Sequence, residues 1–142
     1  MTTEALIEAL NNDLASEYQA IIMYTTYSAQ VKGPFRLMLV DFLQAEIPDE
    51  QGHAQFLADK IVALGGMPTT SPVIVPAAET AKEMLEQIMA AEKKAIKGYT
   101  QRSDQAREAG QIGLAIQLED MIVDETGHYE ETKKLLEEWF ES

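Results

Sequence analysis

Apolar residues recur at steps of three and four positions along most of the chain, a spacing that places them on one face of an α-helix. Between about residues 35 and 64 the apolar positions are Leu39, Leu43, Phe56, Leu57, Ile61 and Leu64. No part of the sequence shows the pattern of a sheet. The pattern predicts an all-α protein with four helices, over about residues 3–31, 35–64, 80–109 and 111–140.

Helix-breaking residues separate these helices. Gly33-Pro34 follows the first helix, Gly65-Gly66 the second and Ala109-Gly110 the third. Residues 65–77 contain three prolines and no helical pattern, and in extended form they would span about 43 Å, almost the length of a 30-residue helix at about 45 Å. We therefore predict a ferritin-like arrangement of four helices, in which two antiparallel hairpins are joined by a long crossover loop and helices two and three run parallel.

Pro48 lies inside the predicted second helix, two residues before Glu50. Because proline has no backbone N–H, it removes the hydrogen bond to the carbonyl of Gln44. We predict a kink or a π-type bulge within residues 44–52 that changes the direction of the Glu50 side chain.

Composition narrows the class of function. A chain of 142 residues is enough for one core, so we expect residues 1–142 to form a single domain. The absence of cysteine excludes thiolate zinc sites, iron–sulfur clusters and thiol catalysis. A net charge of −13 disfavours nucleic acid and anionic membranes as partners. Without a signal-peptide pattern or a long apolar run, the protein is expected to be soluble and cytoplasmic.

A repeated motif contains the only two histidines. Residues 49–53 and 124–128 both read D-E-x-G-H, and we call the distance along the chain from His53 to His128 the repeat interval. The same interval relates Glu17 to Glu92, Ala20 to Ala95, Ile21 to Ile96 and Tyr24 to Tyr99. The second helical hairpin is therefore predicted to repeat the first.

The repeat also predicts where acidic and imidazole side chains meet. Glu17 and Glu50 lie equally far from the Gly33-Pro34 turn, at about 25 Å, and so face each other across the first hairpin. A glutamate three positions before a histidine shares its helix face. The predicted metal ligands at the middle of the bundle are Glu17, Glu50, His53, Glu92, Glu125 and His128.

Four buried carboxylates need compensating positive charge, which two divalent cations supply. A nitrogen and oxygen donor set suits two iron ions, with manganese or zinc as alternatives, and it leaves coordination positions open for oxygen. One Glu from each of two helices with Glu-x-x-His from the other two is the ligand pattern of di-iron carboxylate bundles.

With these motifs, the chain resembles the ferritin-like superfamily, and within it the bacterioferritins, over essentially its whole length. The resemblance implies that Glu17 and His53 hold one iron, that Glu92 and His128 hold the other, and that Glu50 and Glu125 bridge them. It also implies that Tyr24 lies beside the centre, which makes Tyr24 the candidate catalytic residue ahead of Tyr99. Glu46, one turn before Glu50, is interpreted as a solvated residue rather than a transient iron ligand or an iron-entry residue.

The sequence departs from bacterioferritins at two places. Those proteins bind haem through a methionine directly after the bridging glutamate of the second helix, and Gln51 stands at that position, so haem is not expected. The fifth helix of 24-subunit cages is not expected either, because the sequence ends soon after the fourth. A homo-oligomer is expected, while its subunit count stays open.

The leading functional hypothesis is a ferroxidase that oxidises Fe(II) with O₂ or peroxide for iron storage or detoxification. A second hypothesis keeps the centre but assigns it to a di-iron or di-manganese peroxidase or oxygenase. The third is an acidic helical scaffold that binds no metal.

Overall fold

Five α-helical segments form the described part of the chain, residues 1–139 of a computed structural model. They are α1 (Thr3–Gln30), α2 (Arg36–Ala45), α3 (Ile47–Ala63), α4 (Ala81–Glu108) and α5 (Ile112–Leu136). Residues 1–139 contain no β-strand and no helix after α5, so the all-α prediction is confirmed. Because α2 and α3 together correspond to the predicted second helix, the segments make up a four-helix bundle.

The helices begin and end where their caps and turns require it. The Thr2 hydroxyl accepts a hydrogen bond of 3.1 Å from the Ala5 amide at the start of α1, and Thr80 accepts one of 3.1 Å from Glu83 at the start of α4. The two hairpin turns contain Gly33 and Gly110, with φ of 100° and 77°. These left-handed conformations favour glycine because it has no Cβ.

The second helix is interrupted before Glu50, as Pro48 predicts. The Glu46 amide donates to the Leu43 carbonyl at 3.3 Å, three residues back, and regular bonding resumes with the Glu50 amide on the Glu46 carbonyl at 3.1 Å. Pro48 lies in the first turn of α3, where a missing N–H costs no hydrogen bond. The predicted irregularity is confirmed, in the form of a break at Glu46 rather than a π-type bulge.

The fourth bundle helix is shorter than predicted. We expect it to reach residue 140, but α5 ends at Leu136, and Glu138 has a positive φ of 58° that an α-helix excludes. Beyond the helix, the Trp139 ring packs on Phe35 with ring centroids 5.4 Å apart. The predicted terminal residue Phe140 lies outside the described part of the chain.

The irregular segment between α3 and α4 follows α1. Its contacts with that helix progress from Asn11, which accepts from the Thr69 amide at 2.8 Å, through Gln19, which donates to the Ile74 carbonyl at 2.8 Å. They end at Tyr27, whose hydroxyl donates to the Pro76 carbonyl at 2.5 Å. Asn11 and Tyr27 are about 24 Å apart along a helix, so this segment is extended beside α1.

Two apolar clusters form the core and leave a polar layer between them. The first contains Leu10 and Leu14 of α1 with Met121 of α5, and the second contains Met23 of α1 with Leu43 of α2 and other residues. The predicted ligands come between these clusters along the helices. Among residues 1–139, no helix has the length and apolar character that a membrane crossing requires.

Candidate metal centre

Four carboxylates from four different helices meet in the polar layer. They are Glu17 of α1, Glu50 of α3, Glu92 of α4 and Glu125 of α5, each only 2% or 3% exposed. All four line one cavity of about 20 Å³, which is space for about one water-sized molecule.

Both histidines direct Nδ1 at these carboxylates. The Nδ1 atom of His53 lies 3.5 Å from Glu17 Oε1 and 3.3 Å from Glu125 Oε1. The Nδ1 atom of His128 lies 3.4 Å from Glu50 Oε1 and 3.9 Å from Glu125 Oε2. The two imidazoles, one from each copy of the repeated motif, therefore both face the four carboxylates, as the repeat predicts.

The other ring nitrogen of each histidine contacts an aspartate from the other repeat. His53 Nε2 lies 2.9 Å from Asp124 Oδ2, and His128 Nε2 lies 3.2 Å from Asp49 Oδ2. A carboxylate that accepts a hydrogen bond from Nε2–H keeps the proton on that nitrogen and leaves Nδ1 as the nitrogen that can bind a metal. Sequence reasoning used these aspartates only as part of the repeat and missed their contact with the histidines.

Glu46 breaks the symmetry of the centre. Its carboxylate contacts His128 Nε2, and its side chain is only 15% exposed, so the interpretation of Glu46 as a solvated residue is wrong. One repeat interval further along the chain, its counterpart is Met121, which is buried and apolar. One side of the centre therefore carries an additional carboxylate that the other side lacks.

Tyr24 and Tyr99 occupy equivalent positions. The Tyr24 hydroxyl donates to Glu92 Oε2 at 3.1 Å, and the Tyr99 hydroxyl donates to Glu17 Oε1. Both rings are buried. The structure thus places Tyr24 against one predicted ligand and Tyr99 against another. Because the repeat interval relates the two tyrosines, their equivalent contacts could have been predicted from the sequence.

Burial and mutual repulsion hold protons on these carboxyl groups in the absence of metal. Burial, with the charge of Glu17 beside it, raises the pKa of Glu50 to about 7. Burial raises the pKa of Glu125 to about 8, assisted by the charge of Glu50. Burial also raises the pKa of Glu92 to about 8, assisted by the charge of Glu125. These three ligand carboxyls therefore have protons that a cation would displace.

The histidine and tyrosine pKa values respond to the same carboxylates. Burial alone would lower the pKa of His53, but the neighbouring carboxylates of Glu125 and Glu17 raise it to about 11. Burial likewise opposes the rise for His128, which contact with Glu46 and Glu50 takes to about 11. Burial and the neighbouring carboxylates hold the pKa of Tyr24 and Tyr99 well above the ordinary value, so both hydroxyls remain donors.

Every predicted ligand has one buried atom without a hydrogen-bond partner among residues 1–139. Unsatisfied buried polar atoms are costly and rare. Here the four glutamates that carry them line one cavity, and both histidine Nδ1 atoms lie against these glutamates. Oxygen and imidazole nitrogen atoms without sulfur are the donors that iron, manganese and zinc accept. The residues present therefore fit a pair of divalent metal ions. The unpartnered atoms of the six ligands are Glu17 Oε2, Glu50 Oε1, His53 Nδ1, Glu92 Oε1, Glu125 Oε1 and His128 Nδ1.

The ligand atoms are not all equally close. Glu17, Glu50, His53 and Glu125 each offer an atom within 4.8 Å of the others, whereas His128 groups with Glu46 and Asp49 through Nε2. Glu92 lines the same cavity but belongs to neither group. The ligand atoms around His53 are thus closer to one another than the predicted ligand atoms around His128.

The fold and these side chains define a class, the helical-bundle proteins with a carboxylate and histidine centre suited to two metal ions. The ferritin-like domain family matches residues 7–139 of the chain. The chain belongs to this family, and the predicted resemblance is confirmed.

Individual relatives agree with this assignment. A bacterioferritin from Rhodobacter capsulatus is 31% identical over 124 residues, which cover 87% of this chain and 77% of the relative. A solved structure described as ferritin-like, diiron-carboxylate proteins from Bacillus anthracis is 50% identical, covers 96% of this chain and 99% of its own, and superposes with a TM-score of 0.93. A Mycobacterium tuberculosis bacterioferritin is 26% identical, with coverage of 94% and 84% and a TM-score of 0.84.

Proposed function

We propose that this protein is a ferroxidase-type di-iron protein that oxidises Fe(II) to Fe(III) with O₂ or peroxide, for iron storage or detoxification. The observation that carries the proposal is the convergence of six buried, unpartnered ligand atoms from the predicted residues. The similarity of this chain to bacterioferritins and to a diiron-carboxylate protein supports the choice of iron as the metal.

In this proposal Glu17 and His53 hold one Fe(II), Glu92 and His128 hold the other, and Glu50 and Glu125 lie between them. Two bound Fe(II) ions supply one electron each to the oxidant. Asp124 and Asp49 contact each Nε2, so they would accept a hydrogen bond from Nε2–H and leave Nδ1 to bind the metal once the metal has displaced its proton. Tyr24 and Tyr99 fix one oxygen of Glu92 and of Glu17, which limits the rotation of those carboxylates.

The size of the cavity favours a small oxidant over an organic substrate. About 20 Å³ at the carboxylates is space for about one water-sized molecule, which leaves no room for an organic substrate beside the metals. The peroxidase alternative shares this requirement, whereas an oxygenase would need additional space at the metals. We therefore place the ferroxidase reaction first and peroxide consumption second.

The proposal extends to the whole protein. The segment between α3 and α4 serves as the crossover loop that joins the two hairpins, and residues 1–142 act as one domain. The protein assembles as a homo-oligomer, which its likeness to a dodecameric thioferritin from Bacteroides fragilis supports. The proposed location is the cytoplasm, and haem has no proposed role because Gln51 stands at the position of the haem methionine.

Stopped-flow mixing of the metal-free protein with Fe(II) in air tests the reaction. We expect a ferric absorbance that saturates at about two irons per chain. Glu50→Ala and Glu125→Ala should abolish the fast phase, because each removes a central carboxylate. Glu86→Ala is the matched control, since Glu86 is an exposed glutamate on α4 and should keep the wild-type trace.

The scaffold hypothesis gives the opposite outcome. His53→Ala and His128→Ala would then change stability without changing the metal content of the purified protein. Iron oxidation that increases linearly with added Fe(II), and that is the same in Glu50→Ala, would contradict the ferroxidase proposal. A higher turnover with peroxide in the absence of iron uptake would favour the peroxidase.

A further inference from the structure

The two halves of the repeat differ beside their tyrosines. At the repeat interval, Met23 corresponds to Gly98, Tyr27 to Arg102 and Ile88 to Asp13. Met23, Tyr27 and Ile88 are buried and pack with Tyr24 in one apolar cluster. Next to Tyr99, the corresponding positions hold a glycine and an ion pair, so the apolar filling of one half is replaced by polar groups in the other.

A cavity of about 550 Å³ lies at this position, and we call it the α4 cavity. Its size is within the range of about 300 to 1,000 Å³ that is typical of small-molecule sites. Gly98 keeps it open, because the only atom within 4 Å of a Cβ added there is Asp13 Oδ1, at 3.4 Å. The residues that define the cavity are Asp13, Lys94, Lys97, Gly98, Tyr99 and Arg102.

The α4 cavity is locally positive on a protein of net charge −13. Arg102 is neutralised by Asp13, with Nε to Oδ2 at 2.8 Å and a second contact of 3.2 Å. Lys94 and Lys97 remain, and within residues 1–139 neither ammonium has a carboxylate oxygen within the 4.0 Å of an ion pair. Two uncompensated lysines beside a cavity attract anions.

We propose that the α4 cavity binds a small anion with at least two negatively charged oxygens, of the chemical class of inorganic phosphate or a short polycarboxylate. Lys94 and Lys97 supply the charge, and Gly98 supplies the space. The Tyr99 ring forms part of the cavity wall, and its hydroxyl donates to Glu17. Tyr99 would therefore separate the bound anion from the Glu17 carboxylate of the candidate metal centre. Lys94 also lines the smaller cavity at the carboxylates, whereas Lys97 and Gly98 line only the α4 cavity of the two. The inference does not depend on the ferroxidase reaction.

Titration of the metal-free protein followed by amide NMR spectra tests this proposal. Inorganic phosphate and citrate are the two probes, and chloride at equal ionic strength is the reference for screening. We expect saturable shifts at the amides of Ser16, Gly98 and Gln101, which line the cavity, with at least one of the two probes. The probe that saturates at lower concentration distinguishes an inorganic oxyanion from a polycarboxylate.

Two variants remove the site in different ways. Lys94→Gln/Lys97→Gln should weaken binding at least about tenfold by removing the charge, and Gly98→Met should abolish it by filling the cavity as Met23 fills its counterpart. Lys133→Gln/Lys134→Gln makes the same change of charge at exposed lysines of α5 and should bind like the wild type. Shifts that are linear in concentration, equal with chloride or unchanged in Lys94→Gln/Lys97→Gln would overturn the proposal. Because no metal is present, a failed ferroxidase assay leaves this result unaffected.

Discussion

Each histidine of the centre is bonded by the aspartate that lies four positions before the other histidine. On one helix, residues four apart share a face, so the sequence alone would pair Asp49 with His53. The structure instead pairs Asp49 with His128 and Asp124 with His53. The sequence repeat identified the residue types, but the choice of partner depends on how closely α3 and α5 approach at this level, which no local pattern contains.

Asp124→Ala should lower the affinity of the protein for Zn²⁺, a redox-inert substitute for iron. The His53 ring would lose the acceptor that fixes its orientation and its Nε2 proton. Residues in such a position typically change metal affinity about 10- to 100-fold, and we expect the lower end because the Asp124 side chain is 52% exposed. Isothermal titration calorimetry measures the affinity.

Asp120→Ala is the control for that measurement, since Asp120 is exposed one turn earlier on α5. It should leave the affinity within about twofold of wild type. If both variants lose the same affinity, the effect is one of general charge and the positioning role of Asp124 is refuted.

Helix boundaries were predictable where a single residue determines them. This holds for Gly33, Gly110 and Pro48, because the backbone preferences of glycine and proline do not depend on the neighbouring residues. The end of α5 could not be predicted, because the residue types at positions 137–139 are compatible with a helix. The contact of Trp139 with Phe35 joins residues far apart in the sequence, and no local pattern indicates it. The α4 cavity was also missed, since a single glycine inside a helical pattern gives no sign of open space.

The ion pair that joins α1 to α4 should behave as a unit. Arg102→Leu leaves the buried Asp13 carboxylate without a partner, and we expect a loss of about 3 to 5 kcal/mol in the free energy of unfolding. Asp13→Leu/Arg102→Leu should recover most of that loss, since it replaces the pair by apolar groups such as those around Tyr24. Urea denaturation of the two single variants and the double variant gives the coupling energy.

The Arg107–Glu119 pair provides the comparison. It also joins two helices, but its side chains are 44% and 45% exposed, so Arg107→Leu should cost less than about 1 kcal/mol.

Burial raises the pKa of Asp13, and the Arg102 guanidinium opposes that rise, so Arg102→Leu should be less damaging at pH 5 than at pH 8. Equal losses for the two arginine variants would show that burial of the Asp13 pair has no energetic consequence.

At the scale of the whole molecule, the duplicated hairpin concentrates ionisable groups at one level and leaves apolar clusters on both sides. Four carboxylates and two imidazoles in the polar layer would destabilise the bundle if all were charged and unpaired. Folding of the metal-free chain is therefore coupled to protons at the same atoms that a metal would contact. The centre acts on stability through the ions or protons that it holds.

The free energy of unfolding of the metal-free protein should fall as the pH rises from about 5 to about 8. Glu50, Glu92 and Glu125 have folded pKa values of about 7 to 8, above the value of about 4.3 in an unfolded chain. The folded state keeps protons that the unfolded state has released, so stability is lost with rising pH in this interval. The histidines add to the same trend above about pH 6.5, because their folded pKa values are raised to about 11.

Binding of Zn²⁺ replaces these protons, so the difference in Tm between the zinc-loaded and the metal-free protein should widen from pH 5 to pH 8. Thermal denaturation in 0.5 M salt measures it, at a concentration that screens repulsion among the surface carboxylates. Glu92→Gln/Glu125→Gln, which removes two of the titrating groups, should flatten the metal-free profile, whereas Glu86→Gln should leave it unchanged. A metal-free Tm that rises from pH 5 to pH 8 would mean that the carboxyl groups of the polar layer are already ionised, and the argument that metal ions must compensate them would fail with it.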